Sequence, residues 1–370
     1  MKLIYIAAVD SKKPESFGVG KKIVGQVKAL NKLNVESELV NIENDRVNIN
    51  GKVVGEKLKK PKYMFFHKYL IKNYNEIFKD KECVYIRYYS NDIFLYYLIK
   101  KLRKDNKKIV LEIPTYPLDV TNNGFIKKVV YEVINIYVRK NLKKYVDYIA
   151  TTNSNYDEIY GIETIKINNG IDIVENKVVN KKKSDNIIRL VAVANLSKWH
   201  GYDRVITGIG KYNKNINGKK KVVFHIVGEG AEKENLINLS NRLQLNDFIH
   251  FEGAKSGEAL DNIFNQMDIG VSSLALFRAG GGHDPIKTKE FLAGGLPVIL
   301  GYDDKLVDMS LPYVIKVPEN DEPIDIDEII ERFNNLNDNC YDIRKYAEEN
   351  LSWESQMNKI INKLESVKLI

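Results

Sequence analysis

Cysteine is scarce: the 370-residue chain has two, Cys83 and Cys340, and its five histidines form no i, i+4 pair. A disulfide framework or a structural zinc site needs more ligands at short spacing, so both are excluded and free thiols are expected. Long apolar runs are missing too. No stretch reaches the roughly eighteen residues that a membrane-crossing helix requires. The N-terminal MKLIYIAAVDSKKPESF lacks a small-residue cleavage site, and a first strand is expected there rather than a signal peptide. A metal-binding Asp-x-Asp is not evident, because Asp325-Ile326-Asp327 lies in an acidic stretch that reads as a helix entry. A dinucleotide G-x-G-x-x-G also fails, since Gly228 and Gly230 are followed by Lys233.

What is present suits an ordinary globular protein of two domains, with 44% apolar residues. Charge is distributed unevenly. Residues 1–183 hold 35 Lys and Arg against 21 Asp and Glu, whereas residues 184–370 hold 22 against 28. One basic half suggests an anionic surface or acceptor as its partner; plain solvation by abundant lysine explains it equally well. The acidic second half argues against nucleic acid.

Both halves alternate strand and helix signals. KLIYIAAV (2–9) is a continuous apolar run, as a parallel strand buried on both faces should be. Ile23, Val24, Val27, Leu30 and Leu33 then recur at helical spacing, and VESELVNI (35–42) reads as the next strand. Asn50-Gly51 marks a hairpin within 46–56. Further strands are expected at 83–88, 108–114 and 145–151, and a polar linker at 175–186. The pattern restarts at IIRLVAVA (187–194), with strands at 221–228, 248–253, 268–274 and 296–300. Such alternation predicts parallel sheets with right-handed crossovers, and ligands beyond the carboxyl ends of the strands. The expected domains are 1–175 and 187–352, with an amphipathic helix at the C-terminus, 353–370.

Two stretches carry candidate chemistry. FHIVGEGAEKENL (224–236) runs strand, Gly228-Glu229-Gly230, helix, an arrangement that offers backbone N–H groups to phosphate and also occurs purely for packing. In GGHDPIKTKEFLAGGLPVI (281–299), Asp284 is a good N-cap, Pro285 suits a first turn, and Gly294-Gly295 ends the helix. A helix over 285–293 follows, with Lys287 in its first turn, Glu290 three residues on, and Gly281 and Gly282 leaving room ahead of it. A diphosphate at this helix mouth, its ribose reaching Glu290, uses all of these features. A surface ion pair on a capped helix is the plain alternative.

Taken together, NNGIDI (168–173), VANLSKWHGYDRVITGI (193–209), FHIVGEG and KTKEFLAGGLPVI resemble the retaining glycosyltransferases of family 4, of bacterial surface-polysaccharide type. GVGKKIVGQVKAL (18–30) and EIPTYP (112–117) extend the resemblance over nearly the whole chain. It implies the α/β GT-B fold, two Rossmann-like domains facing each other across a central cleft. It also implies that Glu290 receives the ribose hydroxyls and that the backbone after the strand with Phe251, Glu252 and Gly253 cradles the base. A glycine loop at Gly18 and Gly20 is implied to meet the diphosphate or acceptor from the first domain, and the C-terminal helix is implied to cross back onto that domain. The doubly proline-marked EIPTYP is an extended loop after its strand, which puts Thr115 and Tyr116 near the sugar if it faces the cleft; a rigid turn is the plainer alternative.

The chain departs from the family pattern in two places. Gly282 stands where an acid is usual, leaving His283 or Asp284 to contact the donor sugar. Asn195 and His200 replace the Arg and Lys of an R-x-x-x-x-K-G run that ends at Gly201. Lys198, Arg204 and Lys287 are then the candidates for neutralising the diphosphate, Lys287 the best placed. The implied activity is retaining transfer of a hexose from a UDP- or GDP-type sugar to a glycan or lipid-linked saccharide, with no metal and no other cofactor. The resemblance further implies that the leaving phosphate itself takes the acceptor's proton. Lysine-rich segments 57–74 and 126–145 fit peripheral contact with an anionic leaflet from the cytoplasmic side. A non-catalytic accessory protein of the same fold, or a nucleotide-sugar epimerase, stays open at this level.

Overall fold

A computed structural model describes the chain except residues 14–15, 89–91, 115, 117–135, 153–154, 176, 180–185, 214–219, 281–284, 338 and 367–370. The expected features at Thr115, Gly281, Gly282, His283 and Asp284, and the first half of the basic segment 126–145, lie outside the described residues. The chain divides into a first domain, Met1–Gly170 with Trp353–Ile370, and a second, Ile171–Ser352. The crossover thus falls at Gly170–Ile171, ahead of the expected linker at 175–186. Among the described residues, no helix is long and apolar enough to cross a membrane.

The first domain opens with β1 (Lys2–Asp10), whose Leu3 to Ala7 are wholly inaccessible, as its unbroken apolar run requires. Helix α1 (Phe17–Lys32) is the next element, and Gly18 and Gly20 are helical rather than part of the expected glycine loop. Next come β2 (Glu36–Glu43), β3 (Arg46–Ile49) and β4 (Lys52–Val54). Asn50 at φ +50° and Gly51 at φ +85° turn β3 into β4, both residues left-handed as a tight hairpin of this hand demands. The domain continues through α2 (Lys62–Lys72), α3 (Tyr74–Phe78), β5 (Cys83–Arg87), α4 (Ile93–Lys104), β6 (Lys108–Ile113), β7 (Tyr148–Thr151), β8 (Glu158–Ile159) and β9 (Ile162–Lys166). These strands form one sheet ordered β4-β3-β2-β1-β5-β6-β7-β9-β8, parallel from β2 to β9 and edged by antiparallel pairs. The short strands β8 and β9 were not marked by any apolar run in the sequence.

The second domain is wholly parallel: β10 (Ile187–Val193), α5 (Tyr202–Asn213), β11 (Lys221–Val227), α6 (Lys233–Arg242), β12 (Ile249–Gly253), α7 (Glu258–Phe264), β13 (Ile269–Val271), α8 (Lys287–Ala293), β14 (Val298–Leu300) and β15 (Val314–Lys316). Helices α9 (Ile326–Asn334) and α10 (Cys340–Asn350) close it. Its sheet runs β12-β11-β10-β13-β14-β15. The first strand in chain order is therefore central, with the second and third on one side and the fourth to sixth on the other, which is the doubly wound order.

The chain then returns to the first domain as α11 (Trp353–Ser366). Its Trp353, Met357, Ile360, Ile361 and Leu364 are buried in one cluster with Leu3, Tyr5, Ile23 and Leu30. Each such side chain contributes about 1.5–3 kcal/mol of burial before ordering costs.

Candidate functional site

In a doubly wound sheet, the order of strands reverses between its first and fourth members, and the loops leaving those strands diverge to leave a crevice. Here that point lies between β10 and β13. The residues following β10, Ala194 to Gly201, and those following β13, Ser272 onward, are the segments singled out in the sequence.

The β10 loop is rigid for identifiable reasons. Ser197 caps a 3-10 turn, Lys198–His200, and its backbone N–H donates to His200 Nδ1 at 3.1 Å. Gly201 follows in the left-handed region (φ +66°), where a Cβ would press on Leu274 and Ala275 at 3.0 Å. That close approach lets Leu274 N–H donate to the His200 carbonyl at 2.9 Å, tying the two loops across the reversal point.

The imidazole of His200 is buried, stacks on Tyr202 at 5.3 Å, and presents Nε2 to Lys287 Nζ at 2.7 Å. Burial, then the neighbouring Lys287, lowers the His200 pKa from 6.5 to about 3. Burial also lowers Lys287 to about 8, with the Glu290 charge opposing the shift. Two potential cations thus meet in a dry place, and neither is neutralised by the other. Such a pair suits an anion as its ligand.

Helix α8 holds Lys287 and Glu290 in its first turn. It begins at Lys287, so Pro285 stands before the helix, not in it as the sequence suggested. The helix is fixed by its buried face: Thr288 Oγ1 donates to Ser272 Oγ at 2.8 Å and lies 2.7 Å from Tyr302 Oη. Phe291 fills the space over Gly270, where a Cβ would come within 2.3 Å of its ring. Gly295 ends the helix at φ +77°.

Other expected donor-site residues have different surroundings. Arg204 is buried, and its guanidinium donates to the carbonyls of Glu322 (2.7 Å), Leu274 (2.5 Å) and Pro318 (2.9 Å) and to Asn320 Oδ1 (3.1 Å). It anchors loops instead of waiting for a phosphate. Gly228 (φ +132°) and Gly230 (φ +151°) lie against the β10 loop: a Cβ would stand 1.8 Å from Ala194 O and 2.3 Å from Leu196 N, respectively. Packing alone demands both glycines, and Asn195 packs at Gly230 through its Oδ1, 2.8 Å from the same imagined Cβ. Glu252 pairs with His225 Nδ1 at 2.8 Å, and Gly253 turns at φ +69°. The Lys198 carbonyl accepts from Arg278, which also clamps Asp203 and Asp321.

In the first domain, Gly18 has open space around its Cα and Gly20 packs on Ser11. Tyr116 is edge-on to Tyr156 (4.9 Å) and Tyr160 (5.7 Å). Among the lysines of 57–74, Lys57 and Lys62 are engaged by Asp45 and Lys68 lies over the Phe94 ring. The pairing that sequence reasoning missed is His200 with Lys287. They are 87 residues apart, and no spacing rule links them.

Comparison with known proteins bears on this site. Residues 173–350 match the family model described as glycosyl transferases group 1, which covers the switch point and both loops. An uncharacterized glycosyltransferase of Methanocaldococcus jannaschii is 29% identical over 212 residues, or 53% of this chain and 51% of that protein. The O-antigen biosynthesis glycosyltransferase WclY of Escherichia coli is 32% identical over 118 residues, covering 29% of this chain and 31% of WclY. The chain thus matches about half the length of the first of these relatives and about a third of the second. A crystal structure of the pneumococcal O-GlcNAc transferase GtfA, in complex with UDP and GlcNAc, superposes with a TM-score of 0.53 at 11% identity, over 99% of both chains. The chain therefore has the two-domain GT-B fold, and residues 173–350 of it match the glycosyl transferases group 1 model.

Proposed function

We propose that the protein is a retaining glycosyltransferase that moves a hexose from a nucleoside-diphosphate sugar to a glycan or lipid-linked saccharide in surface-polysaccharide synthesis. One observation carries the reading. At the reversal point of the second sheet, half-buried Lys287 and buried His200 face each other at 2.7 Å, and Glu290 lies in the same turn of α8 as Lys287.

Glycosyl transfer passes through an oxocarbenium-like state while charge grows on the departing diphosphate. Fixed donors placed to receive that charge lower the barrier. In this reading, Lys287 Nζ and the His200 ring bind the diphosphate oxygens, and Glu290 accepts hydrogen bonds from the ribose. The phosphate oxygen freed by cleavage takes the acceptor hydroxyl's proton on the same face, which gives retention. The relatedness to an O-antigen enzyme supports the saccharide class of acceptor. The excess of basic residues in the first half supports peripheral contact with an anionic leaflet at the cytoplasmic face.

The test is a thermal-shift panel of nucleoside diphosphates and their sugars, followed by turnover. A ligand at a hundredfold its Kd stabilises the folded state by about 2.7 kcal/mol, enough to rank UDP against GDP. Sugar-nucleotide turnover lost in both Glu290→Ala and Lys287→Ala is expected. Product anomers read by NMR test retention. Gly282, in place of the family's acid, favours a second reading, an accessory protein that binds without transfer. Turnover by purified protein eliminates it.

A further inference from the structure

The hydrogen bonds around His200 constrain where protons sit. Ser197 N–H donates to Nδ1 at 3.1 Å, so that nitrogen holds a lone pair and a neutral ring carries its hydrogen on Nε2. Nε2 lies 2.7 Å from Lys287 Nζ. An ammonium there sets N–H against N–H, and moving the ring hydrogen to Nδ1 only transfers the clash to Ser197. A neutral amine resolves it: Nε2–H donates and the Nζ lone pair accepts.

We infer that Lys287 rests as a neutral amine against His200 and takes up a proton when a diphosphate binds, so that anion capture by this site is coupled to proton uptake. The inference rests on the nucleotide-sugar reading given above. The step is balanced. One proton passes from solvent to the Nζ lone pair, the Nε2–H···Nζ bond opens, and both N–H groups turn to phosphate oxygens. Among the described residues, the titratable groups facing Lys287 are His200, from the turn after β10, and Glu290, on its own helix. Glu290 favours the ammonium, while burial disfavours it and lowers the group to about 8, so the neutral amine is the resting form above that pH. Above that pH the arrangement makes a cation on demand: the neutral amine spares the site a half-buried charge, which is costly, and an arriving diphosphate supplies the partner that makes the ammonium favourable.

Isothermal titration calorimetry of the whole chain with UDP and with GDP at pH 8.5, in Tris and in HEPPS, tests this. The two buffers differ in ionisation enthalpy, and the diphosphate groups of both nucleotides are fully ionised at that pH. Uptake of between about half and one proton per nucleotide is expected, falling to none in Lys287→Arg, whose guanidinium does not titrate. Lys287→Met, read in the same way, covers the case of an arginine variant that does not fold. Binding with no proton uptake, or uptake that persists in the variants, overturns the coupling and leaves the nucleotide reading standing. Absence of binding by either nucleotide overturns that reading as well.

Discussion

The indole of Trp353 occupies the space beside Gly25: a Cβ there would lie 2.5 Å from Nε1 and 2.6 Å from Cδ1. The returning helix α11 is seated on α1 through this contact, because a glycine in mid-helix lets a large ring lie against the backbone. Gly25→Ala gains helix propensity and loses the seat. A net loss of about 1–3 kcal/mol is expected from overpacking, visible as a lower urea midpoint. An unchanged or higher midpoint counts against the contact as the seat of α11.

Much of this architecture was legible beforehand, because parallel strands buried on both faces leave unbroken apolar runs. KLIYIAAV and IIRLVAVA announced β1 and β10, and Asn50-Gly51 announced its hairpin. The two-residue strand β8 and the partly exposed β9 carry no such run, so they were invisible. In the site, Lys287 and Glu290 were legible as one turn of a helix. The partnership of Lys287 with His200 was not, since it depends on how two crossovers converge. Arg204 misled for a physical reason. An arginine near a glycine turn reads as a phosphate ligand, yet a guanidinium is equally suited to binding several backbone carbonyls.

Arg204→Ala distinguishes these two roles. Removing the guanidinium orphans the buried Leu274 carbonyl, releases two part-buried ones and leaves a void, so a destabilisation of about 3 kcal/mol is expected. Nucleotide affinity, measured below the variant's unfolding temperature, is expected to stay within a few-fold of the parent. A large affinity loss in a stably folded variant returns Arg204 to the ligand.

Acid weakens the second domain through His200. Its folded-state pKa of about 3 lies below the ordinary 6.5, so between those values the unfolded chain binds the extra proton. Stability from this group is complete above about pH 6.5 and declines as pH falls toward 3. Denaturant titrations between pH 7 and pH 4 should show a shallower decline in His200→Phe than in the parent. Equal slopes refute the buried neutral ring.

Metal independence has a direct measurement. If Lys287, His200 and backbone donors carry the leaving-group charge, then turnover after exhaustive EDTA treatment and removal of the chelator equals that of untreated enzyme. Restoration by added magnesium or manganese shows instead that a divalent cation takes part.

The second domain starts and finishes at a single place. Ile171 and Ser352 form a parallel β-bridge, and Ile171 N–H donates to Leu351 O at 3.0 Å. Its ends are thus already stapled together by main-chain bonds. Residues 171–352 form a cassette that can be excised, or re-opened elsewhere by circular permutation, without unpicking its sheet.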